Sequence, residues 1–235
     1  MTQSMPTGIL YIVATPIGNL ADITLRAIDI LRSVDCIACE DTRVTRKLTS
    51  HHKINKPLIS YHHHSKIAKI DEIVGKLKDG KDIAQVTDAG TPGISDPGNL
   101  LVQKAVENGI RVVPIPGAST IGAMISIAGI DMQRFIFLGF PPHKKGRETF
   151  FKEVVASRYP VMYFESPHRV IKNLELLKSF NPQKKIILGR ELTKMFEEIA
   201  RGTIGEVLEH FKNNPGKIKG EFAVIIYTKS TNKKH

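Results

Sequence analysis

The chain has 235 residues, of which 41% are hydrophobic and 24% charged, and its formal net charge is +11. That length suffices for one large or two modest folded domains of ordinary polarity, and it excludes a disordered or fibrous class. No apolar run approaches the roughly 20 residues needed to cross a bilayer, and Met1 to Pro6 carries neither a basic patch nor an apolar stretch, so a cytoplasmic protein is expected.

Ile9 to Ala14 is a near-continuous apolar strand, and Thr15-Pro16-Ile17-Gly18-Asn19-Leu20 turns it toward a helix bearing Ile23, Ala27, Ile28, Ile30 and Leu31. Val34 to Cys39 forms the next strand and contains both cysteines of the chain, Cys36 and Cys39. Residues three apart on a strand point to opposite faces, and no second pair completes a zinc site, so these thiols are expected as buried apolar side chains. A helix around Leu48 follows, then a short strand at Pro57 to Ser60. Ile67, Ile70, Ile73, Val74 and Leu77 recur at helical spacing, and Asp82 to Val86 is again strand.

The loop Asp88-Ala-Gly-Thr-Pro-Gly-Ile-Ser-Asp-Pro-Gly98 comes next, ahead of a helix carrying Leu100, Leu101, Ala105 and Val106. Its glycines let a ligand approach the main chain, while its prolines fix the turns. No Lys-Ser/Thr follows the glycines and the GxGxxG spacing is missing, so it is neither a Walker loop nor a dinucleotide fingerprint. Arg111 to Ile115 is the fifth strand. It leads through Pro114-Ile-Pro-Gly-Ala-Ser-Thr120 into a helix with Ile121, Ala123 and Met124, where Ser119 and Thr120 either cap the helix or present hydroxyls to a ligand.

Strands apolar throughout, alternating with helices, predict a mainly parallel α/β sheet covered on both faces. Three turn-rich loops then emerge at the carboxyl ends of its strands, on one edge, where they can enclose a single ligand. Arg134 to Phe140 is read as the last strand of this first domain, with the boundary after residue 140. Beyond it, strands near Val161–Phe164, Lys185–Leu188, Glu197–Gly202 and Glu221–Thr228 predict a mixed sheet in a second domain, 141–235. That half holds 19 basic and 10 acidic residues, a net +9, against 15 and 13, a net +2, in residues 1–140. Lys and Arg neutralise phosphates and release counterions, so the excess points to a polyanion, with RNA favoured.

The strings Ala14-Thr-Pro-Ile-Gly-Asn-Leu20, Cys39-Glu-Asp-Thr-Arg43, Thr87 to Gly98, Tyr163-Phe-Glu-Ser-Pro-His-Arg169, Glu191-Leu-Thr-Lys194 and Lys219-Gly-Glu-Phe222, in this order, resemble the ribosomal small subunit methyltransferase I family. These are rRNA 2'-O-ribose cytidine methyltransferases within the tetrapyrrole methylase superfamily, the class III methyltransferase fold. The resemblance implies two α/β domains with S-adenosylmethionine folded between them, a 16S rRNA substrate in the 30S subunit, and a homodimer. By motif it implies donor contacts from Pro16, Gly90, Thr91, Pro92, Gly93 and Ile94, from Ser119 and Thr120, and from Tyr163, Phe164, Leu192 and Glu221. Thr91 stands where many tetrapyrrole enzymes carry Asp, which argues against a porphyrinoid substrate. Many members continue past the Lys-Gly-Glu-Phe strand, whereas this sequence stops soon after Thr228.

On the acceptor side, Glu40-Asp41-Thr42-Arg43 leaves a buried strand. Arg43 suits a phosphate through its guanidinium fork, and Asp41 suits orienting it or a ribose hydroxyl. Lys144, Lys145 and Arg147 add cations at the expected linker. Asp41, Glu40 and His62 are candidates by residue type for taking the hydroxyl proton. His51, His52, His62, His63 and His64 lie in adjacent runs without metal-ligand spacing, so solvated surface is expected and no metal.

Overall fold

The computed structural model describes residues 7–61, 67–95 and 99–228. The chain divides into two compact units, one ending at Ser119 and the other beginning at Thr120.

In the first unit, β1 (Ile9–Val13), β2 (Cys36–Cys39), β3 (Leu58–Ser60), β4 (Ile83–Gln85) and β5 (Arg111–Ile115) form one sheet in the order β3-β2-β4-β1-β5. Every pairing is parallel, with Leu10 opposite both Ile83 and Val112, and Ala38 opposite both Ile59 and Gln85. Parallel neighbours require helical crossovers, and these are α1 (Leu25–Ser33), α2 (Thr42–His51), α3 (Ile67–Lys78) and α4 (Asn99–Glu107). Thr24 starts α1 by accepting the Ala27 N–H, and Asp41 starts α2 by accepting the Arg43 N–H.

The two faces of the sheet carry separate cores. Leu10, Cys36, Ala38, Ile59 and Ile83 pack with Ile70, Ile73, Val74 and Leu77 of α3 and Leu101 and Ala105 of α4. Val13, Ile37, Cys39, Ala84 and Ile115 pack on the other side with Ala27 and Leu31 of α1. Each such side chain, fully buried, contributes about 1.5–3 kcal/mol relative to exposure if it is as large as Leu or Ile. The two thiols therefore face opposite sides of β2, and burial pushes both up from the ordinary thiol range. Pro114 sits within β5, where a missing donor is tolerated because β5 is an edge strand.

The second unit begins with α5 (Thr120–Ile127) and holds a mixed sheet of β6 (Ile136–Phe137), β7 (Val161–Glu165), β8 (Lys185–Arg190), β9 (Glu198–Thr203) and β10 (Phe222–Tyr227), in the order β6-β7-β10-β8-β9. Only β6 and β7 are parallel. On one face α6 (Arg147–Ala156), α7 (Val170–Phe180) and α8 (Ile204–Asn213) bury Phe151, Leu174, Leu177, Val207 and Phe211 against Tyr163, Leu188 and Val224. Thr203 and Glu206 start α8 with a reciprocal capping box.

One expectation is corrected here. The segment at Arg134–Phe140 is not the last strand of the first sheet: only Ile136 and Phe137 are extended, and they pair with Val161 and Met162 of β7. The partner strand lies later in the chain, so the local apolar pattern carried no sign of which sheet it joins.

Candidate functional site

The carboxyl ends of β1, β4 and β5, adjacent in the first sheet, release three loops that are tied together by main-chain atoms. Thr15 and Gly90 form an isolated antiparallel bridge: the Thr15 N–H donates to Gly90 O at 2.9 Å and the Gly90 N–H to Thr15 O at 3.1 Å. The buried Thr15 hydroxyl donates to Thr87 O at 3.1 Å, and the Thr91 hydroxyl donates across to Ala118 O at 3.2 Å. Gly90 has φ +84° and a Cβ there would lie 3.3 Å from Ile17 Cγ2, while a Cβ on Gly117 would lie 3.0 Å from Ala14 Cβ. Those two positions need glycine for conformation and close approach respectively.

The expected donor-loop residues of this unit thus come together. Pro16 and Pro92 are buried, Thr91, Gly93, Ile94 and Ser119 are half-buried, and the Ile94 N–H turns back to Thr91 O at 3.4 Å. Thr120 is the first residue of α5. Such a rim of strand ends and main-chain groups is where open parallel sheets hold nucleotide-like ligands.

Next to it stand the ends of β2 and β4. Asp41 does two jobs at once: its carboxylate caps α2 through the Arg43 N–H at 2.8 Å, and it grips the Arg43 side chain through Nε at 3.1 Å and Nη2 at 2.6 Å. The guanidinium hydrogen bonds, then the backbone one, hold its carboxyl at about 2. Its own N–H donates to Asp88 Oδ1 at 3.0 Å. Asp88 has the opposite balance: desolvation pushes its carboxyl up by more than that N–H pulls it down, and the Asp41 charge adds to the rise. Glu40 Oε2 accepts the Thr87 hydroxyl at 3.2 Å. His62 lies outside the described residues.

Asp88 is the residue that sequence reasoning missed as chemistry, having placed it only at the start of the glycine loop. A signal was present: the segments that follow two strands carry acids, Glu40-Asp41 after β2 and Asp88 after β4, and the structure makes those strands neighbours.

The expected residues of the second unit are placed less uniformly. Tyr163, 1% exposed, is a core side chain with T-shaped contacts to Phe150 and Phe151, which leaves its main chain as the part that a ligand could meet. Phe164 lies on the other face of β7 with edge contacts to Phe137 and Phe140, centroids 5.0 and 5.4 Å away. Leu192 is buried beside Gly189, and the exposed Glu221 accepts from Lys194 Nζ at 3.1 Å. Lys144 and Lys145 are exposed in the turn before α6, whose first residue is Arg147. The histidine reading also needs a correction at His52, which is half-buried against His51 and whose imidazole is pushed down by that burial.

Residues 9–208 match the model of the tetrapyrrole (corrin/porphyrin) methylases. A ribosomal RNA small subunit methyltransferase I from Neisseria meningitidis serogroup B is 43% identical over 96% of this chain and 78% of its own. The chain belongs to that family. A second ribosomal RNA small subunit methyltransferase I, from a Hydrogenobaculum species, is 42% identical over 94% of this chain and 96% of its own length. Among solved structures, a cobalt precorrin-4 methyltransferase of cobalamin biosynthesis superposes with a TM-score of 0.70 at 16% identity, covering 93% of this chain and 94% of the other. At that identity the likeness shows the tetrapyrrole methylase fold alone.

Proposed function

We propose that this chain methylates the 2'-hydroxyl of a cytidine in the decoding region of 16S rRNA, with S-adenosylmethionine as donor. The reading includes the 30S subunit as substrate, a homodimer as the working form and the cytoplasm as its place. Membership of the ribosomal RNA small subunit methyltransferase I family supports it, as does the basic excess of the sequence. The observation that carries it is the pair of links Thr15–Gly90 and Thr91–Ala118, which gathers three strand-end loops on one edge beside an acid and an arginine. Among the described residues, no helix is long and apolar enough to cross a membrane.

S-adenosylmethionine, when bound, supplies a methyl group on a positively charged sulfur. The protein must hold the hydroxyl oxygen in line with that carbon and sulfur, and such positioning is worth up to roughly 7–11 kcal/mol. Rigidity at the donor side comes from the Thr15–Gly90 bridge. Methylation of the hydroxyl oxygen would release its proton, which a group of this chain would have to accept. Asp88 takes that proton in this reading, because its carboxylate keeps basicity that Asp41 loses to Arg43. Asp41 positions Arg43, which holds a phosphate flanking the target, and Lys144, Lys145 and Arg147 are the phosphate-contacting candidates of the second unit.

Incubation of the protein and labelled donor with purified 30S subunits, naked 16S rRNA and uroporphyrinogen tests the assignment. A single ribose methyl group mapped by mass spectrometry to a decoding-region cytidine of the 30S particle is expected. Label entering the macrocycle, or no label entering RNA, would overturn it.

A further inference from the structure

We propose that the solvent face of α2 is the track along which the RNA strand leaves the target nucleotide, with Arg46 and Lys47 contacting its phosphates beyond Arg43. This rests on the rRNA reading above and adds a surface to it.

The helix reads Thr-Arg-Val-Thr-Arg-Lys-Leu-Thr-Ser-His and contains no acidic residue. Thr45, Leu48 and Thr49 are its buried side chains, and Arg43, Arg46, Lys47 and Ser50 are exposed. At 3.6 residues per turn, Arg43, Arg46 and Lys47 fall within an arc of about 100°, opposite the buried stripe. A surface helix with an apolar stripe this short would ordinarily balance its outer face with both signs of charge, since i,i+3 and i,i+4 pairs of opposite sign support it. α3 and α4 do so, through Lys69–Glu72 and Lys104–Glu107. On α2, Arg46 and Lys47 have no ion-pair partner among the described residues, and Arg43 finds its partner in the cap residue, off the helix face. Like charges on one face cost stability, so an all-cationic face suits a polyanion outside the protein.

Its placement joins it to the reaction edge. The residue that starts α2, Asp41, donates its N–H to Asp88, two residues before the Gly90 that bridges to Thr15. The far end is braced: the Arg32 guanidinium on α1 donates to His52 O at 3.0 Å, and the His52 N–H closes the last turn on Leu48 O at 3.2 Å. The face is therefore a fixed rod about 15 Å long, at 1.5 Å per residue, that begins beside the carboxylates and runs away from them. A strand whose ribose lies at the rim has its neighbouring phosphates over these cations.

The test is the salt dependence of binding to a 16S rRNA fragment, since each phosphate contact on single-stranded RNA contributes about −0.7 to the slope of log affinity against log salt. R46Q/K47Q is expected to weaken binding about tenfold at physiological salt and to make the slope shallower by about 1.4. Affinity for S-adenosylhomocysteine, unchanged in the same variant, shows that the fold is intact. The control is K76Q/K78Q on α3, which removes the same charge and is expected to leave the slope as in wild type. An unchanged slope in R46Q/K47Q overturns the proposal, and so does an equal loss in the α3 control, because net charge alone would then account for it. Weaker binding to 30S particles with no change on naked RNA also overturns it, pointing to a ribosomal protein instead. Wild-type protein that binds no rRNA at all overturns the underlying reading, and this surface with it.

Discussion

Asp88 accepts a hydrogen bond from the main-chain N–H of Asp41 at 3.0 Å, and the two carboxyls it links are tuned in opposite directions. One is held at about 2 by the arginine two residues on, and the other is raised by desolvation. In the proposed reaction the two carboxyls divide the labour, Asp41 building the site and Asp88 exchanging a proton.

Asp88→Asn is therefore expected to lower single-turnover methyl transfer by about 10²–10⁴-fold, the usual worth of a general base, with donor affinity retained. Asp88 must be deprotonated to act, so the wild-type rate should fall as pH drops through its raised pKa, and this acid limb should vanish in the variant. Transfer within threefold of wild type, with the same acid limb, would remove Asp88 from the chemistry.

Asp41→Asn keeps a good N-cap but removes the charge that grips Arg43. The folded-state pKa of Asp41 is depressed from 3.8 to about 2, so its contribution to stability is present above pH 3.8 and is lost as pH falls toward 2. Thermal melts of wild type and variant should differ above pH 4 and converge near pH 2. Asp41→Ala, which loses the cap as well, should melt lower than Asp41→Asn at every pH.

Gly90→Ala places a side chain at φ +84° and within 3.3 Å of Ile17. Strain of this kind costs about 1–3 kcal/mol. Because the same residue carries both hydrogen bonds to Thr15, calorimetry with S-adenosylhomocysteine should show at least tenfold weaker binding. Tyr163→Phe, by contrast, alters only a core ring, and donor affinity should stay within threefold of wild type.

Glu165 and Asn173, 2% and 1% exposed, form a buried polar pair in which the Asn173 amide donates to Glu165 Oε2. Burial raises the Glu165 carboxyl, so protonation favours the folded state and the charged form is a burden at neutral pH. Asn173→Ala deprives that charge of a donor and should cost about 1–3 kcal/mol at pH 7. Denaturant titrations should show the gap to wild type shrinking as pH falls through the Glu165 pKa; a gap that is constant with pH would mean that the loss is one of packing.

Much of this was legible in the chain because the first unit is built from local signals. Cys36 and Cys39 could be assigned to opposite faces from spacing alone, and the glycine and proline loops announced the strand ends. Long-range pairings hid the rest. Ile136 and Phe137 join a strand that appears some two dozen residues later, and nothing in the local sequence says that the Tyr163 ring packs on Phe150 and Phe151 of α6. Asp88 was visible as a residue, but its character depends on Asp41, and only the adjacency of β2 and β4 puts them together.

Pro114 has one more effect. The outer rim of β5 would otherwise offer a regular row of donors and acceptors onto which a stray extended peptide could zip, the first step toward misassembly. A ring nitrogen with no hydrogen interrupts that row at an exposed position, so the open margin of the sheet is a poor template for polymerisation.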